Sequence, residues 1–298
     1  MRHSHGERMA RRFAGRTLIY AALSLWAFIA LFPIYWTVST SFKVARDVTG
    51  SHIIPWVDFS PRWLGFRSLG LSPETIFQVS TVRAEFLLRF TNSVIASGGA
   101  ALIAVVIGSL AAYGLSRFQY KFGPWRNKDI SFFFLSQLIL PPVVLALPFL
   151  ILYKELALLD TKIGLVLIYT LMVLPIVIWI MRDQFNGIPV ELEQAAYVDG
   201  ATTWGAFLRI VVPIALPGAA AAFILAVVLC WNEYFFAALL TSTDAKTLPV
   251  MVASQTGSQG IDWWTMAALS TAAIAPLVLI GIFLERWIVK GLTAGAIK

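Results

Sequence analysis

The chain has 298 residues, of which 58% are hydrophobic and only 13% charged, and its mean hydropathy is +0.77. A water-soluble domain carries about 25% charged residues to wet its surface, so this composition excludes an ordinary soluble globule. The 23 Lys and Arg outnumber the 16 Asp and Glu, but they lie between apolar runs, where they orient membrane spans and do not mark a nucleic-acid partner.

Six charge-poor stretches are long enough to cross a bilayer, since a helical span needs about 20 residues at 1.5 Å each. Lipid offers the backbone no hydrogen-bond partners, so the spans are helices. A basic head, 1–16, precedes the first stretch, 17–42. That run is too long for a cleaved secretion signal and reads as an anchor. A cap of irregular structure, 43–89, follows, with Pro55, Pro61 and Pro73 among scattered aromatics. The later stretches are 90–116, 130–153, 163–181, 214–242 and 263–284.

The predicted fold is therefore an all-α polytopic membrane protein, with one transmembrane domain over 17–298. With the N-terminus inside, 14 of the 23 basic residues fall on the inner side, and the short outer loops carry only Lys154, Lys162 and Lys246. This places both termini in the cytoplasm, with 43–89 as an outer cap. The lone Cys230 lies in an apolar run and supports neither a disulfide nor a metal site.

The loop 183–213 between spans four and five carries most of the information. From Ile188 it reads IPVELEQAAYVDGATTWGAFLRIVVPIALPG. Pro189 suits a first helical turn, and Glu191 and Glu193 suit its positive dipole end. Asp199-Gly200 is a strong turn signal. Thr202 or Thr203 can cap a second helix through Phe207 and Arg209, and Pro213 and Pro217 are expected to mark entry into span five. The predicted unit is helix, tight turn, helix, and the small Ala195 and Ala196 let another surface approach closely.

This arrangement resembles the EAA loop of ATP-binding-cassette importer permeases, matching at Ala195, Ala196, Asp199, Gly200, Ala201, Phe207 and Pro213. One position departs: Gln194 stands where that family has the Glu before the paired alanines, with Glu193 beside it. Asn92-Ser93, the Trp231-Asn232-Glu233-Tyr234 run and the tail 291–298 narrow the likeness to carbohydrate-uptake permeases of the maltose-system G type. The resemblance implies a type I importer transmembrane fold in a bacterial inner membrane. It implies a second, related permease as heterodimer partner and two ATPase subunits, which hold the ATP and Mg. A soluble binding protein would deliver substrate to the outer cap and the 245–262 loop. It also implies that Glu191, Glu193, Gln194, Ala195, Ala196, Asp199, Gly200, Ala201 and Phe207 couple to the ATPase.

Candidate pathway residues are fewer. Gln137 and Pro141-Pro142 lie mid-span, as a packing kink or as a pathway lining. Glu233, an acid in an apolar run, either meets substrate or makes structural hydrogen bonds. Trp231 either stacks on a sugar ring or is an ordinary boundary aromatic, and Asn232 and Tyr234 are further pathway candidates. No G-x-x-x-x-G-K-[ST], H-E-x-x-H or G-x-S-x-G stretch occurs, so the chain is expected to be no enzyme, with no cofactor or metal of its own. The expected cargo is a sugar or sugar derivative, with a non-sugar solute such as glycerol phosphate as the alternative. An ATP-independent secondary transporter is the rival from another class, but such proteins often carry inverted repeats and paired intramembrane charges, neither of which occurs here.

Overall fold

A computed structural model describes residues 3–50, 52–78, 80–257 and 260–293, with side chains described for 15–50, 52–78, 80–255 and 262–282. Among the described residues five helices are long and apolar enough to cross a membrane, and a bent helix pair makes a sixth span if counted as one. The first helix, α1 (His3–Thr40), contains Pro33. Two short helices follow in the cap, α2 (Ala45–Thr49) and α3 (Leu64–Ser68).

Helix α4 (Thr81–Arg117) starts nine residues before the expected span. Its charged first turns are good helix formers, and Glu85 pairs with Arg89 one turn on at 3.2 Å. A two-strand hairpin, β1 (Lys121–Phe122) with β2 (Trp125–Arg126), leads into α5 (Asn127–Ser136).

The third span is not the continuous helix expected over 130–153. Helices α5 and α6 (Ala146–Glu155) are separated by two 3₁₀ turns, Gln137–Ile139 and Pro142–Leu145, and the pair is bent by 91°. Pro141 and Pro142 remove two consecutive N–H donors, and a residue before proline is driven out of the helical region. Leu140 and Pro141 accordingly adopt extended ψ values of 121° and 130°.

Helix α7 (Lys162–Asn186) is capped by Thr161, whose hydroxyl accepts from the Gly164 N–H at 3.0 Å. Two short helices follow, α8 (Glu191–Val198) and α9 (Thr203–Ala206). A π turn, Phe207–Val211, then runs directly into α10 (Val212–Trp231). The fifth span is thus Thr203–Trp231, displaced toward the N-terminus from the expected 214–242. Pro213 and Pro217 do not mark an entry but lie inside this continuous helix. The π turn's wider hydrogen-bond ring sits where Pro213 cannot complete a regular ladder. The helix stops at Trp231, where Asn232 Nδ2 binds the Val228 carbonyl at 2.8 Å. Beyond lie α11 (Phe235–Leu240), α12 (Leu248–Ala253), the hairpin β3 (Thr256–Gly257) with β4 (Gly260–Ile261), and α13 (Trp263–Thr293). The tail motif 291–298 falls largely outside the described residues.

The chain divides into two compact units. The first comprises residues up to Arg83 with Gln255–Ala272. Within it, Phe42, Trp63 and Phe66 stack 5.1 to 5.5 Å apart, and Lys43 is wholly buried with its ammonium 4.1 Å from the Trp36 ring centre. Burial lowers the Lys43 pKa against the opposing attraction of Asp47 and Asp58.

The second unit holds Ala84–Ser254 and the rest of α13. Its core is a seam of small residues along α4 (Ala96, Ala100, Ala101, Ala104, Ala112) facing Ile168, Val173 and Val177 of α7, with Ala222 and Ala226 of α10. Without a hydrophobic drive between helices in lipid, close backbone approach supplies the packing. At Gly108 an added Cβ would sit 2.8 Å from Val177, so the approach requires glycine there.

Candidate coupling surface

The end of α4 meets the loop after α7. Arg117, the last residue of α4, donates from Nη2 to the Ile188 carbonyl at 3.0 Å and from Nε to Glu193 Oε1 at 2.5 Å. The Tyr113 hydroxyl, one turn earlier, donates to Glu193 Oε2 at 2.6 Å. Glu193 is only 2% exposed, and both carboxylate oxygens are used. A buried charge is tolerated when it is both paired and hydrogen-bonded. Helix α8 is therefore pinned to α4 from beneath.

The helical repeat sorts the other loop residues. Glu193 and Ala196 face inward, three residues apart, whereas Glu191, Leu192, Gln194, Ala195, Tyr197, Val198, Asp199 and Gly200 are exposed. Val198 is 88% exposed, and Trp204 and Leu208 extend the apolar surface beyond the turn. Phe207 is buried, its ring 4.4 Å from Tyr113 and 6.2 Å from Phe185.

The turn after α8 is closed by its own backbone. Ala201 N donates to the Ala196 carbonyl at 2.9 Å and Gly200 N to that of Tyr197 at 3.1 Å. Gly200 takes φ +84°, a left-handed helix stop that glycine adopts without strain. Of the two candidate caps for α9, Thr202 serves, accepting from Gly205 N at 3.1 Å. Helix α8 begins at Glu191, two residues after Pro189.

The expected coupling residues therefore split into two groups. Glu191, Gln194, Ala195, Asp199 and Gly200 lie on an exposed apolar and polar surface with half-buried Ala201 at its edge. Glu193, Ala196 and Phe207 anchor that surface from below. Sequence reading missed Tyr113 and Arg117, the partners that make Glu193 an anchor. Their only signal was an aromatic and a basic residue at the close of a span.

The pathway candidates are not brought together. Gln137 lines a cavity of about 390 Å³ with Phe133, Phe149, Met172, Pro175 and Phe236, and Pro141 sits at the break beside it. Glu233 lies beyond the end of α10, and its two oxygens accept the N–H groups of Phe236 at 2.8 Å and Ala237 at 3.1 Å. That is the structural hydrogen bonding which sequence reading left open. Trp231 is buried and donates to the Ala273 carbonyl at 3.0 Å. Asn232 and Tyr234 are exposed. Among the described residues no cluster of His, Cys, Asp and Glu could hold a metal.

The chain is 30% identical to the inner membrane ABC transporter permease protein YcjP of Escherichia coli, over 97% of this chain and 98% of that protein. It is 33% identical to the trehalose transport system permease protein SugB of Mycobacterium tuberculosis, over 90% and 93%. Its fold matches a bacterial ABC transporter involved in import of the acidic polysaccharide alginate, with TM-score 0.70 and 20% identity, over 90% of this chain and 94% of that one. Residues 104–294 match the family described as binding-protein-dependent transport system inner membrane component, and the chain belongs to that family of transport subunits.

Proposed function

We propose that this chain is one of two permease subunits of an ATP-driven importer for a sugar or sugar derivative. Both termini lie in the cytoplasm, and α8 with its turn receives a separate ATPase subunit. That subunit supplies the ATP and Mg chemistry, and a second copy serves the partner permease. A soluble binding protein delivers cargo to the opposite face.

The observation that carries this reading is the exposed face of α8 pinned from beneath by Glu193. A surface meant to transmit force must be open to its partner yet unable to slide on its own subunit. Closure of the ATPase pair would displace α8, and the Glu193–Arg117 pair would pass that displacement to α4. Identity with a trehalose permease over nine-tenths of the chain supports a sugar as cargo.

The test is ATPase stimulation of the full complex in nanodiscs, with its binding protein and a panel of neutral and anionic sugars and glycerol phosphate. Stimulation by one sugar is the expected result. Stimulation by glycerol phosphate alone would replace the cargo assignment, and uptake that persists without ATP or partner subunits would overturn the importer reading.

A further inference from the structure

The stretch 53–58 after α2 reads Ile-Ile-Pro-Trp-Val-Asp. Ile53, Ile54, Trp56 and Val57 are all exposed, Trp56 at 84% and Val57 at 77%. Four large apolar side chains exposed together mark a surface that meets lipid or another molecule. Trp56 sits at φ +63°, uncommon for a bulky residue, and that turn of the backbone sends its ring outward.

Every backbone donor of this turn is used inside the chain. Asp58 Oδ2 accepts the N–H groups of Ile53 at 2.9 Å and Ile54 at 2.8 Å. Trp56 N donates to the Phe59 carbonyl at 2.8 Å, and Val57 N and Asp58 N donate to that of Ile54 at 3.3 and 2.9 Å. Pro55 has no N–H to satisfy. In water a loop can leave such groups to the solvent, but a segment pressed against lipid must satisfy its own backbone. The same closure leaves no amide with which a protein partner could pair.

The turn is also tied to α1 at a definite depth. The Tyr35 hydroxyl donates to the Ile53 carbonyl at 2.7 Å. The buried Lys43 ammonium bridges the two sides, 4.1 Å from the Trp36 ring centre and 5.1 Å from that of Phe59. The membrane-crossing part of α1, Gly15–Thr40, has 26 residues. That is about 39 Å of helix against about 30 Å of hydrocarbon. Tyr35 lies about 7.5 Å before the end of the run, which puts its hydroxyl at the margin of the hydrocarbon, where Trp and Tyr collect. Up to that level α1 itself is apolar and exposed, through Phe28, Leu31, Phe32 and Ile34.

The other side of the turn borders an open cavity of about 610 Å³ that holds Arg46, Arg62, Asp47 and Asp58. Two guanidinium groups balance two carboxylates there, so the site selects no anionic headgroup and the apolar side chains supply the attraction.

We propose that the turn 53–57 is a lipid anchor, inserting Ile53, Ile54, Trp56 and Val57 into the bilayer interface at the C-terminal end of α1, with Tyr35 as its positioning residue. The importer reading assigns only the leaflet, the outer one. The test places a bimane fluorophore at Val57→Cys in the assembled complex, reconstituted in phosphatidylcholine vesicles. The sole native cysteine, Cys230, is buried and does not compete for the label. Lipids spin-labelled just below the headgroup are expected to quench about threefold more than lipids labelled at the chain end, as suits interfacial depth, and soluble iodide quenches little. Tyr35→Phe keeps the ring but frees the Ile53 carbonyl, and lowers the shallow-lipid quenching about twofold. Trp56→Ser, at the anchor itself, lowers it as well.

Quenching by iodide with none by lipid overturns the proposal. Protection from both quenchers overturns it too, since a protein would then cover the turn, and protection that arises only on adding the soluble binding protein reassigns the turn to that partner. Unchanged lipid quenching in both Tyr35→Phe and Trp56→Ser removes the tether and the anchor from the account. The readout needs neither ATP nor cargo, so a loss of ATP-driven uptake bears on the importer reading alone.

Discussion

The two ends of α4 are fastened in opposite ways. At its C-terminal end Arg117 and Tyr113 hold a single buried carboxylate, Glu193, so that joint depends on three side chains. Near its N-terminal end Arg89 and Asn92 hold backbone carbonyls of loop 241–248, while Asp160 takes the same loop's N–H groups. The two joints lie about 42 Å apart along the helix, at 1.5 Å per residue. Side-chain pairs can be broken singly and at high penalty, whereas backbone clamps spread the load over many bonds. The contrast fits the proposed role of α8, which needs one strong point to pass force, whereas the far end keeps a loop in a fixed shape.

The largest expected effect comes from removing the partner of the buried acid. Arg117→Ala leaves Glu193 unpaired, a loss of about 3–5 kcal/mol for a buried pair. Uptake driven by ATP is expected to fall by two orders of magnitude or more, with the chain still inserted in the membrane. Arg117→Lys rescues poorly, because one ammonium cannot reproduce the Nε and Nη2 bonds together. Retained uptake in Arg117→Ala would erase the distinction between the two joints.

Tyr113→Phe removes only the second bond to Glu193 and keeps the ring against Phe207. Hydrogen bonds to charged groups contribute about 1.5–3 kcal/mol, so coupled uptake drops roughly tenfold to a hundredfold. A double-mutant cycle with Glu193→Gln should be strongly non-additive, and additive losses would mean that the two residues act apart. Gly200→Val forces a β-branched residue to φ +84°, at a penalty of about 1–2 kcal/mol. Gly200→Asn should be milder, since Asn tolerates that region. Equal uptake in both variants and wild type would separate the turn from coupling.

The smallest effect is expected at Gln194. It is exposed, so Gln194→Glu should shift thermal stability by no more than about 0.5 kcal/mol. The new charge should instead make association with the ATPase more sensitive to salt. A stability loss as large as that of Tyr113→Phe would place Gln194 among the anchors.

The long apolar helices and the helix–turn–helix after α7 were legible because they depend on local signals. Charge-free runs report lipid exposure directly, and Asp199-Gly200 with Thr202 reports a stop and a cap. Three features were not legible in the same way. The double proline 141–142 reads in sequence as a packing kink or a pathway lining within one span, whereas two missing N–H groups in succession break that span by 91°. The fifth span was placed about eleven residues too late, because Pro213 and Pro217 suggested a boundary that the π turn absorbs. Glu193 is grouped in sequence with the coupling residues and not recognised as an anchor, because its partners lie 76 and 80 positions away and no local spacing links them. Asn92-Ser93 carried a weak signal whose meaning depends on Asp160 and a loop some 150 residues further on.

The most direct test of the account is a cysteine scan of residues 191–198, measuring cross-linking of each position to the ATPase subunit in the assembled complex. Cys230 is buried and gives little background. Strong cross-links are expected at 194, 195 and 198 and none at 196, following the exposed face of α8. Cross-linking at 196 as strong as at 195, or none along the whole helix, would contradict it.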